Sequence, residues 1–133
     1  MIRVKSIQRD GNDINETEII TKGTFEKIDS GYLLKYKETD ETGYDGANTS
    51  LKILDGSKIE LLRTGSVSSE LIIEEGKKNH CHYGTPYGDM VVGVQGKRVE
   101  TSLTDIGGQV KASYVMDINA MFMGDYDLTI DVK

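Results

Sequence analysis

Two charged residues, Glu38 and Arg63, lie where strand alternation predicts side chains that point into a protein interior. Arg63 shares its parity with Ile59 and Leu61, and Glu38 continues the alternating series that begins at Tyr32. Because a buried unpaired charge costs several kcal/mol, we expect the two to meet each other, tyrosine hydroxyls or a ligand. The alternative is that both lie at the ends of their strands, where their charged groups reach the solvent at the rim of the fold.

An inward arginine could neutralise a carboxylate or another anion inside the fold. Tyrosines on the neighbouring segments could line the same space with their rings and hydroxyls. The segment Tyr83–Gly88 is a compact turn with two aromatic rings, and it is either a binding loop or a stiff strand connection. The candidate ligand-binding residues are Tyr36, Glu38, Arg63, Tyr83, Tyr87 and Tyr114.

The run His80-Cys81-His82 could suggest a metal site or a nucleophile. On a strand the two histidines point to one face and Cys81 to the other, so the three cannot hold one metal together. Zinc would need a third ligand from elsewhere, and the alternative is an exposed polar edge. A nucleophilic Cys81 would need a histidine base within reach, whereas a buried thiol is inert. We therefore predict no metal, no cofactor and no catalytic group, and hence no enzyme.

The elements that position these residues are strands, because apolar residues alternate with polar ones. The clearest alternation comes at the end of the chain, where Tyr126, Leu128, Ile130 and Val132 are separated by polar residues. The range 110–118 repeats the pattern, and shorter sets recur along the sequence. Helical spacing of apolar residues is nowhere sustained for three turns. The pattern predicts many short strands with one apolar face each.

Turn dipeptides separate these runs, among them Asp10-Gly11, Asp55-Gly56, Gln95-Gly96 and Gly107-Gly108. The gaps are too short for parallel crossovers, so the sheet is predicted to be antiparallel and meandering. Closing such a sheet removes its exposed edges. The predicted fold is all-β, an antiparallel up-and-down barrel of about 8–10 strands. A sandwich fits the alternation as well.

The chain has 133 residues, which predicts a single barrel domain over residues 1–133. Its 22 acidic and 16 basic side chains give a net charge of −6, which disfavours a nucleic-acid binder. The sequence has neither an apolar run long enough to cross a membrane nor the apolar segment of a signal peptide. Its single cysteine excludes an intrachain disulfide. These features predict a cytoplasmic protein without nucleic-acid or membrane partners and leave its oligomeric state open.

Three segments stand out, namely Tyr32–Glu38, Leu61–Gly65 and Tyr83–Gly88. They and the strand spacing between them resemble the YwiB-type bacterial proteins, a family of unknown function. The most specific element combines Arg63-Thr64-Gly65 with the Thr85-Pro86-Tyr87-Gly88 turn. The resemblance implies a calycin-like, lipocalin-like barrel from a bacterial cytoplasm, and it implies no particular activity.

Two functions from different classes follow. The first is a barrel that binds a small apolar or anionic ligand inside. Arg63 would then neutralise an anionic group at the inner end of the barrel. The second is a filled barrel that acts through its loops or on a protein partner, without an internal ligand. The volume of the interior distinguishes them, because a packed barrel leaves few voids larger than a water molecule.

Overall fold

Eleven strands make up the regular structure of this protein in a computed structural model that describes residues 1–38, 47–54, 57–65, 68–85, 88–118 and 121–133. They are β1 (Ile2–Asp10), β2 (Asp13–Thr21), β3 (Gly23–Ile28), β4 (Gly31–Lys37), β5 (Asn48–Leu54), β6 (Lys58–Thr64), β7 (Ser69–Glu74), β8 (Lys78–Thr85), β9 (Gly88–Thr101), β10 (Gly108–Ile118) and β11 (Met121–Val132). Within these ranges no helix has the length and apolar character of a membrane span.

All eleven strands belong to one antiparallel sheet in the order β2-β1-β11-β10-β9-β8-β7-β6-β5-β4-β3. The predicted all-β antiparallel barrel is therefore confirmed, with one strand more than the upper end of the expected range. Its two edge strands, β2 and β3, follow one another in the chain with only Lys22 between them. The sheet must curl to bring its edges together, and it forms a nearly closed barrel.

Closure depends on close backbone contact at Gly23, the first residue of β3. A Cβ atom at Gly23 would lie 2.4 Å from the carbonyl oxygen of Lys35 on β4 and 2.6 Å from Cδ1 of Ile2 on β1. Gly23 thus lies against β4, which is next to one edge of the sheet, and against β1, which is next to the other edge. Only a residue without a side chain fits this corner, where the chain passes from one edge of the sheet to the other.

The inward side chains of β5, β6 and β7 form layers, because these strands pair without a shift in register. The first layer is fully apolar and buried, and it consists of Ile53, Ile59 and Ile73. The second consists of Leu51, Leu61 and Leu71, and the third of Thr49, Arg63 and Ser69. The interior therefore changes from apolar to polar along the strands, with the predicted inward Arg63 in the polar layer.

Three of the predicted turns have different outcomes. Gly11 does lie in the β1–β2 hairpin with a positive φ of 62°, whereas Asp55-Gly56 lies outside the described residues. The Gln95-Gly96 turn is wrong, because both residues lie inside β9. The register with β10 shifts beside Lys97, and this bulge reverses the alternation. At Gly96 a Cβ atom would meet the carbonyl oxygen of Glu74 at 2.1 Å, so this glycine permits a close backbone approach instead of a turn.

Candidate functional site

The barrel encloses a cavity of about 270 Å³. Inward side chains of β1, β2, β4–β8, β10 and β11 line it. The leucine layer of β5–β7 contributes its apolar part, whereas the isoleucine layer lies beyond it and is packed. The interior is thus filled along one stretch of the strands and open along the next.

The Glu38–Arg63 ion pair forms the polar wall of the cavity. Nη2 of Arg63 lies 3.2 Å from Oε1 of Glu38, and Nε lies 3.4 Å from the same oxygen. The hydroxyl of Thr49 donates a third hydrogen bond to this oxygen at 2.6 Å. The exposed fractions of the two charged side chains are 12% for Arg63 and 1% for Glu38. The two charges therefore meet inside the barrel and not at its rim.

Strand register brings these groups together. Tyr36 pairs with Thr49 across β4 and β5, and Thr49 pairs with Arg63 across β5 and β6. Glu38 follows directly after β4 on the same face as Tyr36, so its carboxylate reaches the hydroxyl of Thr49 and the guanidinium. The separation along the sequence gives no hint of this contact, because it depends on how three strands align.

Tyr36 extends this polar network. Burial of the phenol, and next the negative charge of Glu38, raise the pKa of Tyr36 well above its ordinary value. The hydroxyl is also hydrogen-bonded to Glu38 and Thr49. It therefore stays protonated and serves as a donor to the carboxylate. Among the described residues the network is neutral, because one cation and one anion share it with two hydroxyls.

Tyr114 and Tyr126 form an aromatic wall of the cavity. They pair directly across β10 and β11, and their rings stack at 5.0 Å between centroids with planes 7° apart. Tyr83, opposite Ser69 on β7, also lines the cavity. An aromatic pair beside a polar network suits an amphipathic molecule.

The structure brings most of the predicted site residues together. Five line this one cavity, namely Tyr36, Glu38, Arg63, Tyr83 and Tyr114. Tyr87 lies outside the described residues. The sequence analysis missed the contributions of Tyr126 and Gln8. Both have the parity of inward residues on their strands, but only the register of β1, β11 and β10 places them beside Tyr114.

The histidine–cysteine run of β8 lies away from this chemistry. His80 and His82 are exposed and Cys81 is buried, as the alternation predicts. Nε2 of His82 lies 3.4 Å from a carboxylate oxygen of Asp89 on the outer surface. In the part of the chain that the structure describes, no three His, Cys, Asp or Glu side chains cluster as metal ligands.

The thiol of Cys81 should be unreactive in the folded protein. Burial raises the pKa of Cys81, and Sγ accepts a hydrogen bond from the backbone amide of Ile72 at 3.3 Å. Ellman's reagent at pH 8 should therefore titrate one thiol in denaturant and react far more slowly without it. Complete reaction of the folded protein within the mixing time would contradict the burial of Cys81.

Comparisons with known proteins place this architecture among relatives. The family described as "Domain of unknown function (DUF1934)" matches residues 2–130. The crystal structure of the YwiB protein from Bacillus subtilis is similar, with a TM-score of 0.83 and 19% sequence identity over 98% of this chain and 87% of that chain. At this identity the likeness establishes the fold. No curated protein matches the chain.

Proposed function

Since this chain belongs to the domain family of unknown function DUF1934, we propose a function from its site: the barrel binds a small uncharged molecule in its cavity. The observation that carries the proposal is the open volume beside a buried ion pair. A barrel with only a structural role is filled by side chains, and this interior is filled along only part of its length.

The size of the cavity limits the ligand. Its volume of about 270 Å³ corresponds to roughly nine water molecules at about 30 Å³ each. Pockets for drug-sized molecules begin at roughly 300 Å³. The cavity therefore fits a ligand that is smaller than a drug-sized molecule.

The charges that line the cavity favour an uncharged ligand. Among the described residues that line it, Glu38 and Arg63 carry the charges, and they neutralise each other. An anion would have to share Arg63 with a carboxylate 3.2 Å away, and a cation would face the guanidinium. Of the two ligand classes expected from the sequence, the apolar one fits better, with a polar group that contacts the network.

The walls indicate the chemistry of this ligand. Tyr114 and Tyr126 stack on each other and add aromatic surface to the cavity, and the leucine layer of β5–β7 adds aliphatic surface. The ion pair and Gln8 add hydrogen-bond donors and acceptors to the wall. An apolar molecule with one polar group would satisfy both kinds of wall residue. We propose binding and not catalysis, in a protein of the bacterial cytoplasm.

The test is native mass spectrometry of protein purified from cells without a denaturing step. We expect an additional mass that is retained under native conditions and is lost on denaturation. Replacing Ser6, a half-buried residue that lines the cavity, with phenylalanine should remove the retained mass, because the ring occupies the ligand's space.

Ser50→Phe is the matched control. Ser50 is also half-buried, but it lies on the outer face of β5. The phenylalanine ring at this position therefore cannot enter the cavity. We expect this variant to retain the ligand. Absence of any additional mass from the unsubstituted protein would contradict the proposal and favour a barrel that acts through its loops or a protein partner.

A further inference from the structure

The outer face of β4–β7 carries charges and apolar side chains in two rows across the strands. We call this set the β4–β7 face. The first row is Leu33, Lys52, Glu60 and Ile72, and the second is Lys35, Ser50, Leu62 and Glu70. In each row a lysine lies on β4 or β5 and a glutamate on β6 or β7. The face is therefore basic on one side and acidic on the other.

The four charged side chains of this face have no ion pair within the described residues. The outer face of β1 and β2 is different, because there Arg3 pairs with Glu18 and Lys5 with Glu16. Arg9 likewise pairs with Asp127 on β11 at 2.6 Å. The charges of one side of the barrel thus form ion pairs within the chain, whereas the described residues of the β4–β7 face form none, although Lys52 and Glu60 are neighbours across β5 and β6.

We propose that the β4–β7 face is a self-association surface that binds a second copy of this chain. A two-fold axis parallel to the strands, between β5 and β6, exchanges β4 with β7 and β5 with β6 and keeps each row opposite itself. Three matches follow from it. Lys52 then faces Glu60, Lys35 faces Glu70, and Leu33 faces Ile72 of the other copy. The fourth pair sets Ser50 opposite Leu62.

The second possible two-fold axis in the plane of the β4–β7 face gives no such match. An axis perpendicular to the strands exchanges the two rows and keeps each strand opposite itself. Leu33 would then face Lys35, and Glu60 would face Leu62, so charges would be desolvated against apolar groups. The arrangement of residue types therefore selects one symmetry of association.

The shape and size of the face set the strength of this contact. A depression of about 340 Å³ lies among these side chains, and Leu62 beside it is 46% exposed. Four strands at about 4.8 Å spacing give a width of roughly 19 Å. Such a face buries less than the ~800 Å² per partner of a standard interface. The dimer is therefore weak and dissociates on dilution.

The test is sedimentation equilibrium of the full chain at concentrations up to about 1 mM. We expect a monomer–dimer equilibrium that weakens as salt is added. Lys52→Glu should raise the dissociation constant at least about tenfold, because the symmetry creates two carboxylate contacts per dimer. The double variant Lys52→Glu with Glu60→Lys exchanges the charges and should restore association to near its original strength.

Lys111→Glu is the matched control, since it changes the net charge equally at an exposed position on β10. We expect it to leave the dissociation constant unchanged. A protein that stays monomeric at every concentration would overturn the proposal. So would a dimer that Lys52→Glu does not weaken, or one that the double variant does not restore. Unchanged far-UV circular dichroism checks that each variant is folded.

Discussion

Replacing Arg63 with methionine should lower the free energy of unfolding by about 3–5 kcal/mol. Methionine keeps most of the apolar volume but removes the cation. The carboxylate of Glu38, 1% exposed, then stays in the interior without its cation, next to the hydroxyls of Thr49 and Tyr36. Urea denaturation at pH 7, followed by far-UV circular dichroism, measures the loss.

The partner variant completes a double-mutant cycle. Glu38→Gln should cost a comparable amount, because it leaves the guanidinium of Arg63 without its carboxylate. The double variant Arg63→Met with Glu38→Gln should recover part of the loss, since no unpaired charge remains in the interior. The coupling free energy from the cycle then reports the pair itself.

Arg3→Met is the matched control for this cycle. Arg3 also pairs with a glutamate, Glu18, at 3.1 Å, but its side chain is 46% exposed. Water solvates both partners there, so the unfolding midpoint should hardly change. If Arg63→Met and Arg3→Met had equally small effects, the burial of the Glu38–Arg63 pair would be refuted.

Replacing Gly23 with alanine should lower the free energy of unfolding by about 2–3 kcal/mol. The added methyl group would lie 2.4 Å from the carbonyl oxygen of Lys35 and 2.6 Å from Cδ1 of Ile2. Because the carbonyl belongs to the β3–β4 ladder, it cannot move without loss of strand pairing. The corner that joins the two edges of the sheet must then open.

Hydrogen exchange followed by mass spectrometry locates this effect. We expect faster exchange of the backbone amides of β2 and β3 in Gly23→Ala, with β7–β9 unchanged. Gly124→Ala is a milder control, since its methyl group would first meet an atom at 3.0 Å, the carbonyl oxygen of Arg9. Equal losses of stability in both variants would contradict the special role of the Gly23 corner.

The sequence by itself determined the fold class and, on the strands with clear alternation, the face on which a side chain lies. Alternation at Tyr126, Leu128, Ile130 and Val132 has a period of two, which only a strand satisfies when one face is buried. The same parity argument gave Glu38 and Arg63 an inward direction, and only their burial in the structure decided between an internal pair and a rim position. The parity argument worked because neighbouring residues of a strand constrain one another locally, so no knowledge of distant segments was needed.

The sequence analysis was wrong where a local pattern had two physical readings. Gln95-Gly96 has the composition of a turn, yet Gly96 lies in a continuous strand where the backbone of Glu74 approaches it. Glycine serves both purposes, because it lacks a side chain as well as tolerating positive φ. Which purpose applies depends on what packs against the residue.

Only the tertiary structure decided which inward residues meet. Glu38, Thr49 and Arg63 come together because β4, β5 and β6 pair in one register, and Tyr114 meets Tyr126 for the same reason on β10 and β11. Alternation fixes the face on which a side chain lies but not its position along the neighbouring strand. The cavity, likewise, is the volume that remains after eleven strands close at the Gly23 corner. Packing of the whole sheet sets that volume, and no single segment encodes it.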